Sequence, residues 1–329
     1  MPQIELSGIS KRFTVYERPT GRFSTLRGAV VRKKREVQAL TDVSFALDAG
    51  ELVGYIGPNG AGKSTSVKIM SGILTPDSGS CQILGVTPWK SREKHVAQLG
   101  VVFGQRSQLW WDLPVDDSFY LLQKIYGIPK EDYRRRHDLL TQTLSIGDLL
   151  KTPVRQLSLG QRMRCELVAA LLHSPKSLFL DEPTIGLDAV SKLALRDFLR
   201  SENREKGTTM LLTTHDMDDI EALCRRVMVI GHGRLLFDGE LSRLKQQYAP
   251  LHRIRAVTQG EIPAREFPGA ASVMVNGSEW EIRFNPSEIP APKMLAAVTN
   301  ALPLTDIAIE ETSVEEMIAS MYEILDIRF

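Results

Sequence analysis

The stretch GPNGAGKST, from Gly57 to Thr65, lies between the apolar run LVGYI and the helix-like segment SVKIM. A glycine-rich loop between a strand and a helix brings several backbone N–H groups together, and such a loop surrounds phosphate oxygens. Lys63 would neutralise the phosphates, and the Ser64 hydroxyl would ligate Mg²⁺. A glycine turn capped by serine is the alternative interpretation. The phosphate-binding residues predicted in this loop are Asn59, Gly60, Gly62, Lys63, Ser64 and Thr65.

Two later apolar runs end in polar residues. KSLFLDEP runs into Asp181 and Glu182, and TTMLLTTHD ends near His215. Both runs are typical of buried parallel strands, and α/β sheets bind ligands where such strands end. A phosphate loop needs a carboxylate that serves the metal ion and a group that positions water, so Asp181 and Glu182 are predicted in these two roles. The competing interpretation is an acidic pair that caps the next helix.

Two further segments are candidates for ligand or partner contacts. LSLGQRMRCELVAALL begins at Leu157 and puts Ser158, Gly160 and Gln161 at a helix start, where N–H groups and the helix dipole favour an anion. VVFGQRSQLWWDLP contains two adjacent tryptophans, whose side chains would face opposite sides of an extended segment. Either one of them lines a groove for a partner, or the two fill separate cores.

The remaining features set the class of protein. At 329 residues the chain exceeds one typical domain, and its net charge of +1 gives no global field that favours a nucleic-acid or acidic partner, so no nucleic-acid partner is expected. Three widely spaced cysteines indicate core thiols in a reducing compartment. We expect no signal peptide in MPQIELSGISKRF and no membrane span anywhere. The pattern changes after Gly239, which predicts a main domain over residues 1–240 and a small α+β domain over 241–329, made of three strands, a helix and a fourth strand.

In this order, the motifs resemble those of the ATP-binding subunit of an ABC transporter, over roughly residues 4–239. The phosphate loop is similar to Walker A, Leu157–Gln161 to the signature motif, Leu178–Glu182 to Walker B and Ile185–Asp188 to the D-loop. The resemblance adds three residues that were uninformative alone. These are Gln105 as the Q-loop glutamine, His215 as the switch histidine, and Phe13, with Tyr16 as the near alternative, as the aromatic under adenine.

The resemblance implies an α/β fold of the P-loop NTPase class, with a RecA-like core, an antiparallel β subdomain and a helical subdomain that carries the signature. It implies ATP and Mg²⁺ as ligands, with Ser64, Gln105 and Asp181 near the metal ion and with Glu182, Gln105 and His215 in catalysis. ATP hydrolysis is the implied activity.

The resemblance also implies partners. Two such subunits, identical or related, pair head to tail, so that Ser158, Gly160 and Gln161 bind an ATP held by the other subunit. Leu159 departs from the usual LSGGQ, since it replaces the first glycine. The tail ending in ETSVEEMIASMY and the Trp110–Trp111 segment are similar to those of ABC-2 type exporters. A separate transmembrane permease, export of a drug, lipid or metabolite, and a cytoplasmic position on the inner face of the membrane are therefore expected.

Two questions stay open at this stage. An ABC-type ATPase acting on ribosomes or DNA is the alternative function, although such proteins usually carry two cassettes or long insertions. A basic insertion is predicted over residues 14–36, and its span Arg18–Arg35 holds seven basic residues and no acids. This span is either a solvated loop or a contact with an anionic membrane surface or the permease.

Overall fold

The structure is a computed structural model that describes residues 2–17, 33–104, 106–214, 216–248 and 251–324. The chain divides into two compact units, Met1–Asp238 and Gly239–Phe329. In these described ranges no helix is long and apolar enough to cross a membrane.

The strands and helices are numbered along the chain. The strands of the described residues are β1 (Ile4–Glu17), β2 (Lys33–Leu47), β3 (Leu52–Ile56), β4 (Ser78–Ile83), β5 (Leu99–Phe103), β6 (Ser177–Asp181), β7 (Thr209–Thr213), β8 (Arg226–Gly231), β9 (Arg234–Glu240), β10 (His252–Thr258), β11 (Ala270–Asn276), β12 (Glu279–Phe284) and β13 (Leu304–Glu311). The helices are α1 (Lys63–Met70), α2 (Arg92–Val96), α3 (Val115–Ile125), α4 (Lys130–Thr143), α5 (Leu159–Leu171), α6 (Ala189–Lys206), α7 (Met217–Leu223), α8 (Leu241–Tyr248), α9 (Ala291–Ala301) and α10 (Val314–Ile324).

A six-stranded sheet in the order β5-β6-β7-β3-β8-β9 forms the centre of the first unit. The pairs from β5 to β8 are all parallel. Strands β3, β6 and β7 are almost wholly buried, as their uninterrupted apolar sequences predict for strands covered on both faces. The sheet therefore brings the ends of β3, β6 and β7, which carry the phosphate loop, Asp181–Glu182 and Thr213, to one edge.

A second, antiparallel sheet in the order β2-β1-β4 shares a hydrophobic core with the central sheet. The alternation of apolar and polar residues in QALTDVSFALDAGELVGYIG predicts a hairpin leading to a buried strand. The buried strand is β3, but the hairpin is wrong, because β2 and β3 belong to different sheets. Strand β2 pairs instead with β1, as far out as Glu17 opposite Lys33. Residues 14–17 and 33–36, expected in the basic insertion, are thus strand residues, in keeping with the β-branched and aromatic side chains of FTVYE. Residues 18–32 lie outside the described part of the chain.

The segments between β5 and β6 are mainly helical and contain α3, α4 and α5. Two short turns of 3₁₀ helix, Gly147–Leu149 and Val154–Gln156, lie between α4 and α5. Cys165 of α5 is buried, as are Cys81 and Cys224, so all three thiols are core residues as expected. Burial raises the pKa of the Cys81 and Cys165 thiols to about 12, which leaves both protonated near neutral pH.

The second unit is a four-stranded antiparallel sheet in the order β11-β12-β10-β13, with α9 supplying part of its core. Trp280, Phe284 and Ile254 from the sheet pack with Met294 and Val298 from α9, and all five are almost wholly buried. The three strands, the helix and the fourth strand expected in the tail are present in that order.

Candidate nucleotide-binding site

The phosphate loop joins the end of β3 to the start of α1, and its glycines are required by close approaches. A Cβ atom on Gly57 would lie 2.3 Å from the carbonyl oxygen of Ile230. Gly62 has φ +113°, and a Cβ there would lie 2.7 Å from the carbonyl oxygen of Ala39. Both positions therefore exclude any larger residue. Asn59 and Gly60 are exposed at the tip of the loop, where their backbone is accessible.

Lys63 is the first residue of α1 and is almost completely buried. Its ammonium group donates hydrogen bonds to the carbonyl oxygens of Gly57 and Pro58, the second at 3.0 Å. Burial lowers the pKa of Lys63, and the nearby carboxylates of Glu182 and Asp181 oppose that shift. The loop thus holds a desolvated cation at its centre, where an anionic phosphate would interact strongly with it.

Ser64 and Asp181 meet across the loop, although 117 positions separate them in sequence. The Ser64 hydroxyl donates to Asp181 Oδ2 at 3.2 Å, and Thr213 Oγ1 donates to Asp181 Oδ1 at 2.5 Å. These oxygens are the hard ligands that Mg²⁺ prefers. Asp181 is therefore oriented from both sides, by the phosphate loop and by the end of β7.

Glu182 follows β6 in a left-handed backbone conformation, with φ +57°. Its N–H donates to the Thr213 carbonyl oxygen at 2.8 Å, which extends the pairing of β6 with β7 by one hydrogen bond. A non-glycine residue held in this region is strained, and such strain is concentrated at functional sites. The chain bends at Glu182 and turns through residues 183–186, so the strand ends between the two acids that are predicted to have separate roles.

A cavity of about 210 Å³ lies beside these groups. Its lining brings together four of the predicted residues, Asn59, Ser64, Asp181 and Glu182. The sequence interpretation missed Arg106, which also lines the cavity and is exposed. No motif in the sequence marks this arginine, because only the fold carries it to the ends of the strands. The other lining residues are Lys68, Phe103 and Gly104.

The predicted second anion site is at the start of α5. Ser158 is the N-cap, its Oγ accepts from the Gln161 N–H at 3.2 Å, and Gln161 Oε1 accepts from the Ser158 N–H at 2.9 Å. This reciprocal pair is a capping box. Ser158 is exposed, and Gly160 and Gln161 are half-buried. Gly160 has no room for a side chain, since a Cβ would lie 2.4 Å from the carbonyl oxygen of Gly186.

Of the other predicted residues, the structure describes Phe13 and Thr65. Phe13 lies on β1 with 36% of its surface exposed, and Lys11 Nζ lies over its ring at 5.9 Å from the ring centre. Thr65 is half-buried in α1. Gln105, His215 and the side chain of Tyr16 lie outside the described residues.

The question left open for the two tryptophans is answered by their exposure. Trp110 is 38% exposed and Trp111 52% exposed, so they do not fill two separate cores. The guanidinium carbon of Arg162, on α5, lies 5.6 Å from the ring centre of Trp111. This contact connects the tryptophan segment to the helix that begins at Ser158.

Comparison with known proteins shows the family to which the chain belongs. Residues 40–185 match the family described as ABC transporter. The ABC transporter ATP-binding protein NatA of Bacillus subtilis (strain 168) is 31% identical over 212 residues, which cover 64% of this chain and 86% of NatA. The chain belongs to the family of ABC transporter ATP-binding proteins. This membership makes it a transport ATPase that binds ATP.

A second relative and a solved structure support the same assignment. The doxorubicin resistance ATP-binding protein DrrA of Mycobacterium tuberculosis (strain CDC 1551 / Oshkosh) is 35% identical over 214 residues, covering 65% of this chain and 64% of DrrA. The structure described as that of the ATP-binding subunit of an ABC transporter superposes with a TM-score of 0.63 at 26% identity, covering 75% of this chain and 93% of that one. The P-loop NTPase fold expected from the sequence is confirmed.

Proposed function

We propose that this transport ATPase drives a separate transmembrane permease of the ABC-2 type and that it exports a drug, lipid or metabolite. The observation that carries the proposal is the meeting of Ser64, Asp181 and Glu182 at one edge of the sheet, beside the buried Lys63. Export is supported by the likeness to DrrA, which is named for doxorubicin resistance. The substrate itself is chosen largely by the permease.

We propose that the ATP is bound with Mg²⁺. The Ser64 hydroxyl and the Asp181 carboxylate offer hard oxygen ligands within one hydrogen bond of each other, which fits a small divalent cation that takes its other ligands from phosphate and water. The ion would supply charge neutralisation at the phosphates. In this chain, the Asp181 carboxylate would ligate the ion, and Glu182 would orient the attacking water. Gln105 and His215 keep their proposed places near the metal ion and the γ-phosphate.

The second subunit is proposed to bind at the face that carries the signature motif. Ser158 is exposed at a helix start, where a phosphate can bind. The resemblance to ABC ATPases implies that this phosphate belongs to the ATP held by the other subunit. The neighbouring D-loop and α6 expose large apolar side chains, which is typical of an interface. These are Ile185, Val190 and Leu193, together with Leu159 of the signature, at 37%, 77%, 58% and 40% exposure.

The permease is proposed to bind at the exposed Trp110–Trp111 segment. Tryptophan is enriched at the centre of interfaces, because it buries a large apolar area. The Arg162 contact would pass a displacement of Trp111 to the start of α5. Binding at this segment would hold the protein at the inner face of the membrane. The basic span Arg18–Arg35 remains a proposed contact with anionic lipid or with the permease.

The central test is the variant Glu182→Gln, which keeps the shape of the side chain but removes the charge that orients water. We expect ATP binding to persist, turnover to fall by about a hundredfold or more, and an ATP-bound dimer to accumulate. Turnover is measured by phosphate release, and the dimer by sedimentation with ATP and Mg²⁺.

The control for this variant is Glu205→Gln, the same chemical change on an exposed residue of α6. It should leave turnover unchanged. Wild-type turnover in Glu182→Gln would contradict the role of this acid. Normal binding and loss of turnover without any dimer would contradict the proposed pairing of two subunits.

A further inference from the structure

Leu159 of the signature motif contacts the D-loop of its own chain. A Cβ atom built on Gly186 would lie 2.9 Å from both Cγ and Cδ2 of Leu159 and 3.2 Å from its Cβ. Real Cβ atoms essentially never come within 3.0 Å of a non-bonded heavy atom. The leucine side chain therefore occupies the space that any side chain at position 186 would need.

A second contact runs in the reverse direction between the same two segments. A Cβ atom built on Gly160 would lie only 2.4 Å from the carbonyl oxygen of Gly186. Leu159 covers Gly186, and Gly186 in turn approaches the backbone of Gly160. The first turn of α5 and the segment Ile185–Asp188 are thus closely fitted to each other, with one large side chain between two glycines.

Segment Ile185–Asp188 is tied to Glu182 by a short, hydrogen-bonded connection. The Ile185 N–H donates to the Glu182 carbonyl oxygen at 3.3 Å, and the Leu187 N–H donates to that of Thr184 at 3.1 Å. At its other end, Asp188 caps α6 by accepting from the Ser191 N–H at 2.8 Å. A displacement of Gly186 would therefore be passed to the backbone turn that aims Glu182.

We propose that Leu159 is a positioning residue, which holds segment Ile185–Asp188 and thereby the Glu182 turn against the start of α5. This inference rests on the proposed function, in which Ser158 and Glu182 of one chain serve two different ATP molecules. The contact would make those two groups move as one body. It also accounts for the leucine in place of glycine at position 159, because Gly186 provides the matching space.

The competing explanation is that position 186 needs glycine only for its backbone, since φ there is +74°. The chain contains a matched control for that effect. Gly207, at the end of α6, has φ +66°, and a Cβ there would meet nothing within 4 Å. Alanine at either position would be strained by the positive φ. Only alanine at position 186 would also collide with Leu159.

The test is a double-mutant cycle with Gly186→Ala and Leu159→Gly, in the full chain and beside Gly207→Ala. ATP-dependent dimerisation is measured by sedimentation, the kcat and KM of ATP hydrolysis by phosphate release, and folding by the thermal unfolding midpoint. Overpacking of this kind predicts that Gly186→Ala weakens dimerisation and lowers kcat by about tenfold, with KM nearly unchanged. In the double variant, removal of the leucine should recover most of this loss, leaving about a threefold deficit from backbone strain.

The single variants complete the prediction. Leu159→Gly alone should lower kcat by about threefold or less, because the D-loop is less firmly held but no atoms collide. Gly207→Ala should shift the unfolding midpoint about as much as Gly186→Ala does, with kcat unchanged. This pattern would separate positioning from general stability.

Two results would overturn the inference. One is a Gly186→Ala variant with the kcat and dimerisation of Gly207→Ala, and the other is a double variant that remains as impaired as Gly186→Ala. Failure of the proposed function is distinguishable, since then the wild-type chain itself would not dimerise with ATP. If Gly186→Ala misfolds, its unfolding midpoint falls. Recovery of the midpoint in the double variant would then support the contact between Leu159 and Gly186, and no recovery would contradict it.

Discussion

The phosphate loop and the start of α5 are both suited to bind anions, but their surroundings differ. The loop surrounds a buried ammonium group, that of Lys63, and lies beside two carboxylates. The helix start has an exposed serine whose capping bonds are made with Gln161. The first site thus combines a cation, the proposed metal ligands and the acid proposed to orient water in one chain. The second offers N–H groups and a dipole, which bind a phosphate only when something else brings it there.

The energetic contrast follows from burial. Lys63 has lost much of its hydration and is held by two carbonyl oxygens, which a phosphate would replace as partners. A charge-assisted hydrogen bond in such a place is worth more than a neutral one. At the exposed Ser158, water competes for every contact, so the interaction is weaker and depends on closure of the interface. Variants of Lys63 and Ser158 test whether the phosphate loop binds phosphate more strongly than the start of α5 does.

The largest effect is expected for Lys63→Ala, which removes the buried cation. ATP affinity of the monomer should fall by about a hundredfold, consistent with the loss of a hydrogen bond to a charged group. Equilibrium binding of a fluorescent ATP analogue measures this. Lys68→Ala is the control, since Lys68 lines the same cavity but is only half-buried. An equal loss in both variants would mean that general positive charge, rather than the loop geometry, binds the nucleotide.

A smaller effect is expected for Ser158→Arg, which removes the cap and puts a cation at a helix start. ATP-dependent dimerisation should weaken by about tenfold or somewhat more, while ATP binding by the monomer stays near normal. Sedimentation and analogue binding give the two quantities. The matched control is Ser174→Arg, at an exposed serine just beyond the other end of α5. If Ser158→Arg lost monomer binding instead, the two sites would not be separate.

The sequence alone identified much of the first site, for a physical reason. Buried parallel strands have uninterrupted apolar sequences, so β6 and β7 and the polar residues at their ends were recognisable. The phosphate loop has a fixed local pattern, because its glycines are needed for close backbone approach. Local rules of this kind do not require knowledge of which elements become neighbours.

Contacts between distant segments were not predictable in the same way. The pairing of Ser64 with Asp181, the contact of Leu159 with Gly186 and the place of Arg106 all depend on sheet order and helix position. The prediction of a hairpin of β2 and β3 is wrong because alternation of apolar and polar residues identifies a strand but not the strand that pairs with it. The exposure of Trp110 and Trp111 likewise depends on the packing around their loop.

The smallest effect is expected for Thr213→Val, which tests a residue of the first site that sequence reasoning overlooked. Valine keeps the shape and strand preference of threonine but removes the hydroxyl that donates to Asp181 Oδ1. Asp181 would then be oriented by Ser64 alone, and the Mg²⁺ concentration that gives half-maximal ATP hydrolysis should rise by about fivefold. Titration of ATPase activity with Mg²⁺ measures this change.

The control for this variant lies on the same strand. Thr209 is also fully buried, and its hydroxyl accepts from the Gly50 N–H at 2.9 Å, at the opposite end of β7. Thr209→Val should lower the unfolding midpoint but leave the Mg²⁺ dependence unchanged. Because the hydrogen bonds of Ser158 are made with Gln161 and not with Asp181, the Ser158→Arg variant should also keep the wild-type Mg²⁺ dependence of monomer nucleotide binding. An equal Mg²⁺ shift in Thr213→Val and Thr209→Val would mean that strand stability, and not the orientation of Asp181, sets the affinity of the metal site.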